Sequence, residues 1–396
     1  MAVEVSEMRD IPTVMLSDKG RAELDTLLQS SVKQRDVPGV VAEVANREHV
    51  LYRGAFGRLD DRGAVDMPTN AIFQIKSMTK PITSVGIMML IEQGLLDLDD
   101  SIGQYLPDLV GKDVFVAFNE PGASYTTRPA AREVTIRDLL THTAGFGYDF
   151  SNETLLVLSR SGERSPRDIP LLHDPGSRWT YGMSTRFLGE VIERITGETL
   201  KTFFESRIFR PLGMTDTGFD LKPEELSRLV SLFRRVDENL VGEPRPGAYE
   251  PFVAGDAGLL STADDYIRFL QMLLNMGQFN NIRLLTNQSV NELTINQIGN
   301  LKVLKQEGAI PDVSNPFPLG AGKDTFSFGF QLKEGKEENA RSPGSYSWAG
   351  LFNTHFWADP QKGIAAVLLM QVLPFYDVRG IQLLTDFEKL IYRNLE

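Results

Sequence analysis

The sequence contains no cysteine. Disulfides, thiolate metal sites, iron–sulfur clusters and cysteine nucleophiles are excluded together. Histidine is scarce: His49, His142, His173 and His355 are the only four, and no two stand at a metal-ligand spacing such as HxxxH, so neither a zinc site nor any cofactor is expected. Long apolar runs are missing. The longest, near 85–91 and 364–370, fall far short of the roughly 20 residues that a spanning helix needs. A surplus of positive charge is missing as well: 41 Lys and Arg face 53 Asp and Glu, for a net charge of −12. An acidic surface argues against nucleic acid or an anionic membrane as partner, because phosphate binding needs clustered cations. The opening stretch MAVEVSEMRDIPTVML carries Glu4, Glu7 and Asp10. It lacks the basic start and the roughly 7–15 apolar residues of a secretory signal, so a cytoplasmic protein is expected.

What is present is ordinary globular material, 396 residues of which 42% are hydrophobic, enough for one large core or two. Residues 17–36 read as a helix with Leu24, Leu27 and Leu28 on one face. Residues 40–44 and 49–53 read as two short strands around a polar turn. A helix is expected over 79–93, with Pro81 in its first turn and Gly94 just past its end. From 107 to 251, Pro-, Gly- and charge-rich loops alternate with short helical segments, among them a capping-box start at Thr135–Asp138 and an amphipathic helix over 184–196 closed by Gly197. That stretch is expected to form a mostly helical domain. Residues 1–106 and 252–396 are expected to form an α/β domain beside it. There a helix starts near Ser261–Asp264, strands are expected over 325–333, 345–356 (kinked near Gly350) and 363–372, and a helix runs over 376–395. Strands near both ends around a helical middle predict an α+β fold, with an antiparallel sheet built from both termini and the active site in the cleft between the domains.

The stretch FQIKSMTKPITSVGIMML carries the candidate chemistry. In Ser77-Met-Thr-Lys80, positions three apart share a helix face, so the lysine amine can reach the serine hydroxyl one turn back. Free backbone N–H groups at a helix start favour anions, so the serine can attack while its own N–H holds the resulting oxyanion. About one such SxxK is expected by chance in a chain of this length. A second does occur, Ser30 to Lys33, and reads as solvated helix surface. What distinguishes Lys80 is the almost uncharged run behind it, 82–91, which would desolvate the amine and make it usable as a base. A lysine snorkelling to solvent is the plainer alternative. The GxSxG elbow is absent, and His142, in LLTHTAGFG, reads as a turn or core residue rather than a triad member. Gly320-Ala-Gly-Lys323 fails as a phosphate loop, because Phe317 and Asp324 stand where glycine and Ser/Thr are needed.

The segment from FQIKSMTK to DSIGQYLPDL resembles the active-site helix of serine β-lactamase-related proteins, a group that includes class C β-lactamases, DD-peptidases, family VIII carboxylesterases and related acyltransferases. The resemblance continues through VTIRDLLTHTAGFGY, HDPGSRWTYGMSTRFLGEVIERITG, RPLGMTDTGF, GDAGLLSTADDYIRFLQMLLN and YSWAGLFNTHFWADPQKGIAAVLLMQ, nearly the whole chain in order. It implies that Ser77 is the acylated nucleophile, Lys80 its partner and Tyr181 the proton shuttle of the second motif, its phenol lowered in pKa by the nearby lysine cation. Which of Lys80 and Tyr181 takes the first proton is left open. Trp348-Ala-Gly350 matches the third motif. Gly350 would let the backbone pass close to substrate, and the Leu351 N–H would join that of Ser77 as the oxyanion hole. Two departures matter: Met183 stands where β-lactamases and peptidases of the group have Asn, and Trp348 where they have Lys. Losing an amide and a cation removes charge-assisted grips on a peptide or β-lactam. An apolar, ester-binding cleft results, and the likeness points to family VIII esterases. The expectation is therefore a carboxylesterase acting on small, short-chain acyl esters. Acyl transfer to an alcohol, weak β-lactamase activity and a non-catalytic binding protein remain as alternatives, and no oligomeric state follows from the sequence.

Overall fold

The computed structural model describes residues 14–63, 65–120, 124–160, 167–244 and 246–396; the first 13 residues, read above for a secretory signal, lie outside it. The main strands are β1 (Gly39–Asn46), β2 (Val50–Gly57), β3 (Thr325–Phe326), β4 (Gln331–Leu332), β5 (Tyr346–Gly350), β6 (Thr354–Asp359) and β7 (Ile364–Leu369). They form one seven-stranded antiparallel sheet in the order β3-β4-β5-β6-β7-β1-β2, so strands from the two ends of the chain meet at the β7–β1 seam. The principal helices are α1 (Asp18–Lys33), α2 (Thr79–Glu92), α3 (Ile136–Thr141), α4 (Ser184–Thr196), α5 (Ala263–Leu274) and α6 (Val378–Arg393). This is the β-lactamase/transpeptidase-like α+β architecture that the motif order implies.

Every residue of β1 is buried. Its alternation serves both faces of the sheet. Val40, Ala42 and Val44 pack into an outer core with α1 and α6, while Val41 and Ala45 pack into an inner core with α2 and α5. The inner core continues without a break into α3, α4 and the segments around Phe203 and Phe219. At its centre lies α2, buried on nearly all sides, as a helix apolar around its circumference must be.

Three expectations are revised. The 325–333 run is a hairpin, β3 and β4, turned at Gly329 with φ +98°. The 345–356 run is also a hairpin, β5 and β6, turned at 351–353, where Asn353 takes φ +58°. In both, an apolar run of strand-forming residues hides a reversal carried by one or two positive-φ positions. The 107–251 stretch holds more than helices: Asp113–Glu120 pairs with Ser124–Pro129, and Phe233–Val236 pairs with Asn239–Gly242 and with Val372–Leu373. The first of these hairpins carries two register shifts, which leave Val116 unpaired and exposed and blur any period-2 signal in its sequence.

Candidate active site

Ser77 sits on a single 3₁₀ turn, Lys76–Met78, that leads directly into α2. Strand pairing of Phe73–Gln74 with Leu260–Ser261 anchors the approach to this turn. Its exit is anchored by the Tyr266 hydroxyl on the Met78 carbonyl at 2.9 Å and the Thr83 hydroxyl on the Gly255 carbonyl at 2.6 Å. Lys76, just before the nucleophile candidate, is held at φ +46°, and its ammonium lies 4.5 Å from the centre of the Phe352 ring. A non-glycine residue in this region is strained, and strain of this kind persists only where the surroundings over-determine the backbone.

Lys80, one turn on, is 1% exposed. Its Nζ lies 3.1 Å from Ser77 Oγ, 3.0 Å from Tyr148 Oη and 2.8 Å from the Asp256 carbonyl oxygen. Burial pulls the amine down to about 7; the Asp256 carboxylate opposes this and the Arg186 guanidinium adds to it. The snorkelling alternative is thereby overturned, and a substantial fraction of Lys80 is a neutral amine at neutral pH.

Tyr181 precedes α4 and is 3% exposed, with its hydroxyl hydrogen-bonded to Ser77. Its ring sits among Trp348 (4.8 Å between centroids), His142 (5.0 Å), Tyr148 (5.5 Å) and Phe317 (5.7 Å). The Trp348 indole N–H donates to Tyr181 Oη at 3.2 Å. Gly182 is required here, since a side chain would strike the Phe146 carbonyl at 2.3 Å; this contact brings the 146–148 loop beside Tyr181. The expectation of a lowered phenol pKa is corrected. Burial pushes Tyr181 up, and the hydrogen bonds from Ser77 and Trp348 only partly offset it. A buried phenolate is costly, and its neighbour is an amine already half discharged rather than a full cation.

Gly350 ends β5 against the Ser77 turn. A Cβ there would lie 2.2 Å from the Ile75 carbonyl oxygen and 2.3 Å from Thr354 Oγ1. The close approach that demands glycine here is to the Ser77 turn. Leu351 follows in the β5–β6 turn, half-buried against the inner core. Met183 stands at the N-terminus of α4 and lines, with Phe146, Tyr148, Leu155 and Arg186, a cavity of about 230 Å³. The structure therefore gathers Ser77, Lys80, Tyr181 and Trp348 in direct contact, sets Gly350 and Leu351 beside the Ser77 turn, and leaves Met183 one shell away.

Two partners of Lys80 went unremarked in the sequence. The Tyr148 hydroxyl donates to Asp256 Oδ2 at 2.5 Å, and Asp256 is 1% exposed and held by Arg186 at 3.1 and 3.2 Å. Both lie inside stretches that carried the resemblance, HTAGFGY and GDAGLLST, but a tyrosine and an aspartate alone give no spacing signal. The histidines play no comparable part. His142 caps α3 in the left-handed region with neither ring nitrogen partnered, and His173 bonds Thr180 and the Asp174 carbonyl. His355 lies in β6, opposite Ala349 of β5.

A serine hydroxyl between a buried, partly discharged amine and a phenol, at the mouth of a helix on a mixed α/antiparallel-sheet fold, defines an enzyme of the serine hydrolase class. The model of the Beta-lactamase family matches residues 24–386, and the chain belongs to that family. It is 32% identical over 360 residues to protein Rv1367c of Mycobacterium tuberculosis, covering 85% of this chain and 86% of that one. It is 30% identical over 288 residues to esterase EstB of Burkholderia gladioli, covering 64% and 69%. Among solved structures, a mutant of simvastatin synthase (LovD) from Aspergillus terreus superposes with a TM-score of 0.80 at 26% identity, covering 95% of both chains. Among the described residues, no helix is long and apolar enough to cross a membrane.

Proposed function

We propose that the chain is a serine carboxylesterase that hydrolyses small, short-chain acyl esters through an acyl-enzyme on Ser77. The observation that carries this reading is the Lys80 amine, buried, held near 7 and 3.1 Å from Ser77 Oγ. Neutral Lys80 takes the Ser77 proton as Oγ bonds to the ester carbonyl carbon, and the carbonyl π pair moves onto oxygen. The backbone N–H groups of Ser77 and Leu351 receive that oxyanion. Collapse expels the alkoxide, which takes its proton from Lys80 through the Tyr181 hydroxyl. Tyr181 keeps its proton at rest, so it acts as a relay and Lys80 as the first base. Water then attacks the acyl carbon and passes a proton through Tyr181 to Lys80; collapse expels Ser77 Oγ, which takes that proton from Lys80 and leaves the carboxylic acid. Trp348 and Met183 line the apolar side of the cleft, with the site between the 107–251 segment and the α/β domain built from 1–106 and 252–396. No metal or cofactor takes part in these steps.

An acyltransferase reading shares every step up to the acyl-enzyme, with an alcohol in place of water at the second. The similarity to simvastatin synthase across both chains favours keeping it. Hydrolysis of p-nitrophenyl butyrate by the wild type and by Ser77→Ala tests the proposal: turnover should fall at least about 10⁴-fold in the variant. Activity that survives Ser77→Ala defeats it. Wild-type release of p-nitrophenol that accelerates with an added alcohol, with the new ester appearing, moves the assignment to transfer.

A further inference from the structure

The three groups around Lys80 Nζ fix where its hydrogens point. The Asp256 carbonyl oxygen, at 2.8 Å, can only accept. The Tyr148 hydroxyl, at 3.0 Å, has committed its own proton to Asp256 Oδ2, because a carboxylate accepts only, so towards Lys80 it too can only accept. A neutral amine has two N–H bonds and one lone pair. With both N–H bonds engaged, the lone pair is left facing Ser77 Oγ at 3.1 Å, the direction from which a proton must come. Tyr148 is itself oriented by Asp256, and Asp256 by the two bonds from Arg186.

We propose that Tyr148, Asp256 and Arg186 form a positioning chain for Lys80, which aims the amine lone pair at Ser77 and sets one buried carboxylate and one guanidinium behind it. This rests on the Ser77–Lys80 reading given above and extends it to residues that act through Lys80. The charge balance has a definite sign. Burial does most to discharge Lys80; the Asp256 carboxylate favours its ammonium form, and Arg186 offsets part of that from the far side. The other groups facing Lys80 are neutral: the Tyr181 phenol, the Tyr148 phenol, and His142, which burial and then the Lys80 charge hold well below the ordinary imidazole range. Of the two charged members, Asp256 is sealed, whereas Arg186 keeps 33% of its side chain exposed and forms part of the wall of the 230 Å³ cavity that also reaches Tyr148 and Met183.

The test is the rate of covalent labelling of Ser77 by a fluorophosphonate between pH 5 and 9, which reads the first proton transfer without turnover. Wild type should lose reactivity on the acid side with an inflection near 7. Asp256→Asn should move that inflection about one pH unit to the acid side, and Arg186→Met about one unit to the alkaline side. Arg186→Lys should restore the wild-type inflection, and Tyr148→Phe should lower the plateau several-fold with the inflection little moved. If Arg186→Met does not fold, Arg186→Gln makes the same charge change. Inflections that stay in place, or move in the same direction, in the Asp256 and Arg186 variants overturn the inference, whatever happens to the plateau. Absence of labelling in the wild type, or labelling retained in Ser77→Ala, instead defeats the Ser77 reading on which it rests.

Discussion

Trp348 is a residue whose sequence environment and structural task point in different directions. By the motif resemblance it stands where peptidases and lactamases carry a cation, and an apolar wall for substrate is the natural expectation. In the fold it is 7% exposed and spends its one polar atom on Tyr181. An indole N–H on a phenolic oxygen would steady the proposed relay and ease transient phenolate character, an effect worth on the order of 1 kcal/mol. Trp348→Phe should therefore lower kcat for p-nitrophenyl butyrate by up to about tenfold with KM nearly unchanged. A variant in which KM alone rises would make Trp348 a substrate wall and nothing more. Ser77, Lys80 and Tyr181 could be singled out by motif spacing and flanking patterns, and the fold brings the three together. Tyr148 and Asp256 could not be singled out, because their importance lies in a hydrogen bond between residues 108 positions apart. The direction of the Tyr181 shift was misjudged for a related reason: the pull of a lysine charge was weighed, whereas burial of the phenol, which outweighs it, has no signal in the residues flanking Tyr181.

The β5–β6 hairpin shows the same division at the scale of elements. A strand in this region was legible from the run Ser345–Phe356, but the reversal at 351–353 was not, since Leu351-Phe352-Asn353 carries none of the Gly-Pro punctuation of a turn. The 113–129 hairpin was missed because charged and proline-rich neighbours drew the reading toward loop. The helices were read well, since caps such as Thr135 with Asp138 are local chemistry. What the hairpin does for the site depends on Gly350. Gly350→Ala would force its Cβ into the Ile75 carbonyl, and either β5 or the Ser77 turn must shift. A loss of about 1–3 kcal/mol in urea unfolding is expected, together with a fall in fluorophosphonate labelling larger than any change in ester KM. Unchanged labelling in a destabilised variant would show that the turn holds its shape without β5.

For the whole molecule, the buried amine links stability to pH. An unfolded lysine titrates near 10.5, whereas Lys80 in the fold titrates at about 7. Between these values the unfolded chain binds a proton that the folded chain does not, so this group makes stability rise with pH across that window. Lys80→Met removes the contribution. The stability of the variant relative to wild type should then be greatest near pH 7 and decline by on the order of 3 kcal/mol by pH 9.5, followed by urea denaturation at both. A difference independent of pH would mean that the amine is charged in the fold. The overall architecture was legible because motif order, and strand patterns near both ends, constrain a sheet closed at the β7–β1 seam. That closure carries a consequence for synthesis. The carbonyl of Ile75, two residues before Ser77, receives its Thr354 hydroxyl from a residue 279 positions later. At roughly 5–20 residues per second, a ribosome needs about a quarter of a minute to a minute to make the chain between them. A nascent polypeptide thus carries Ser77 long before the hairpin that braces its turn has been made.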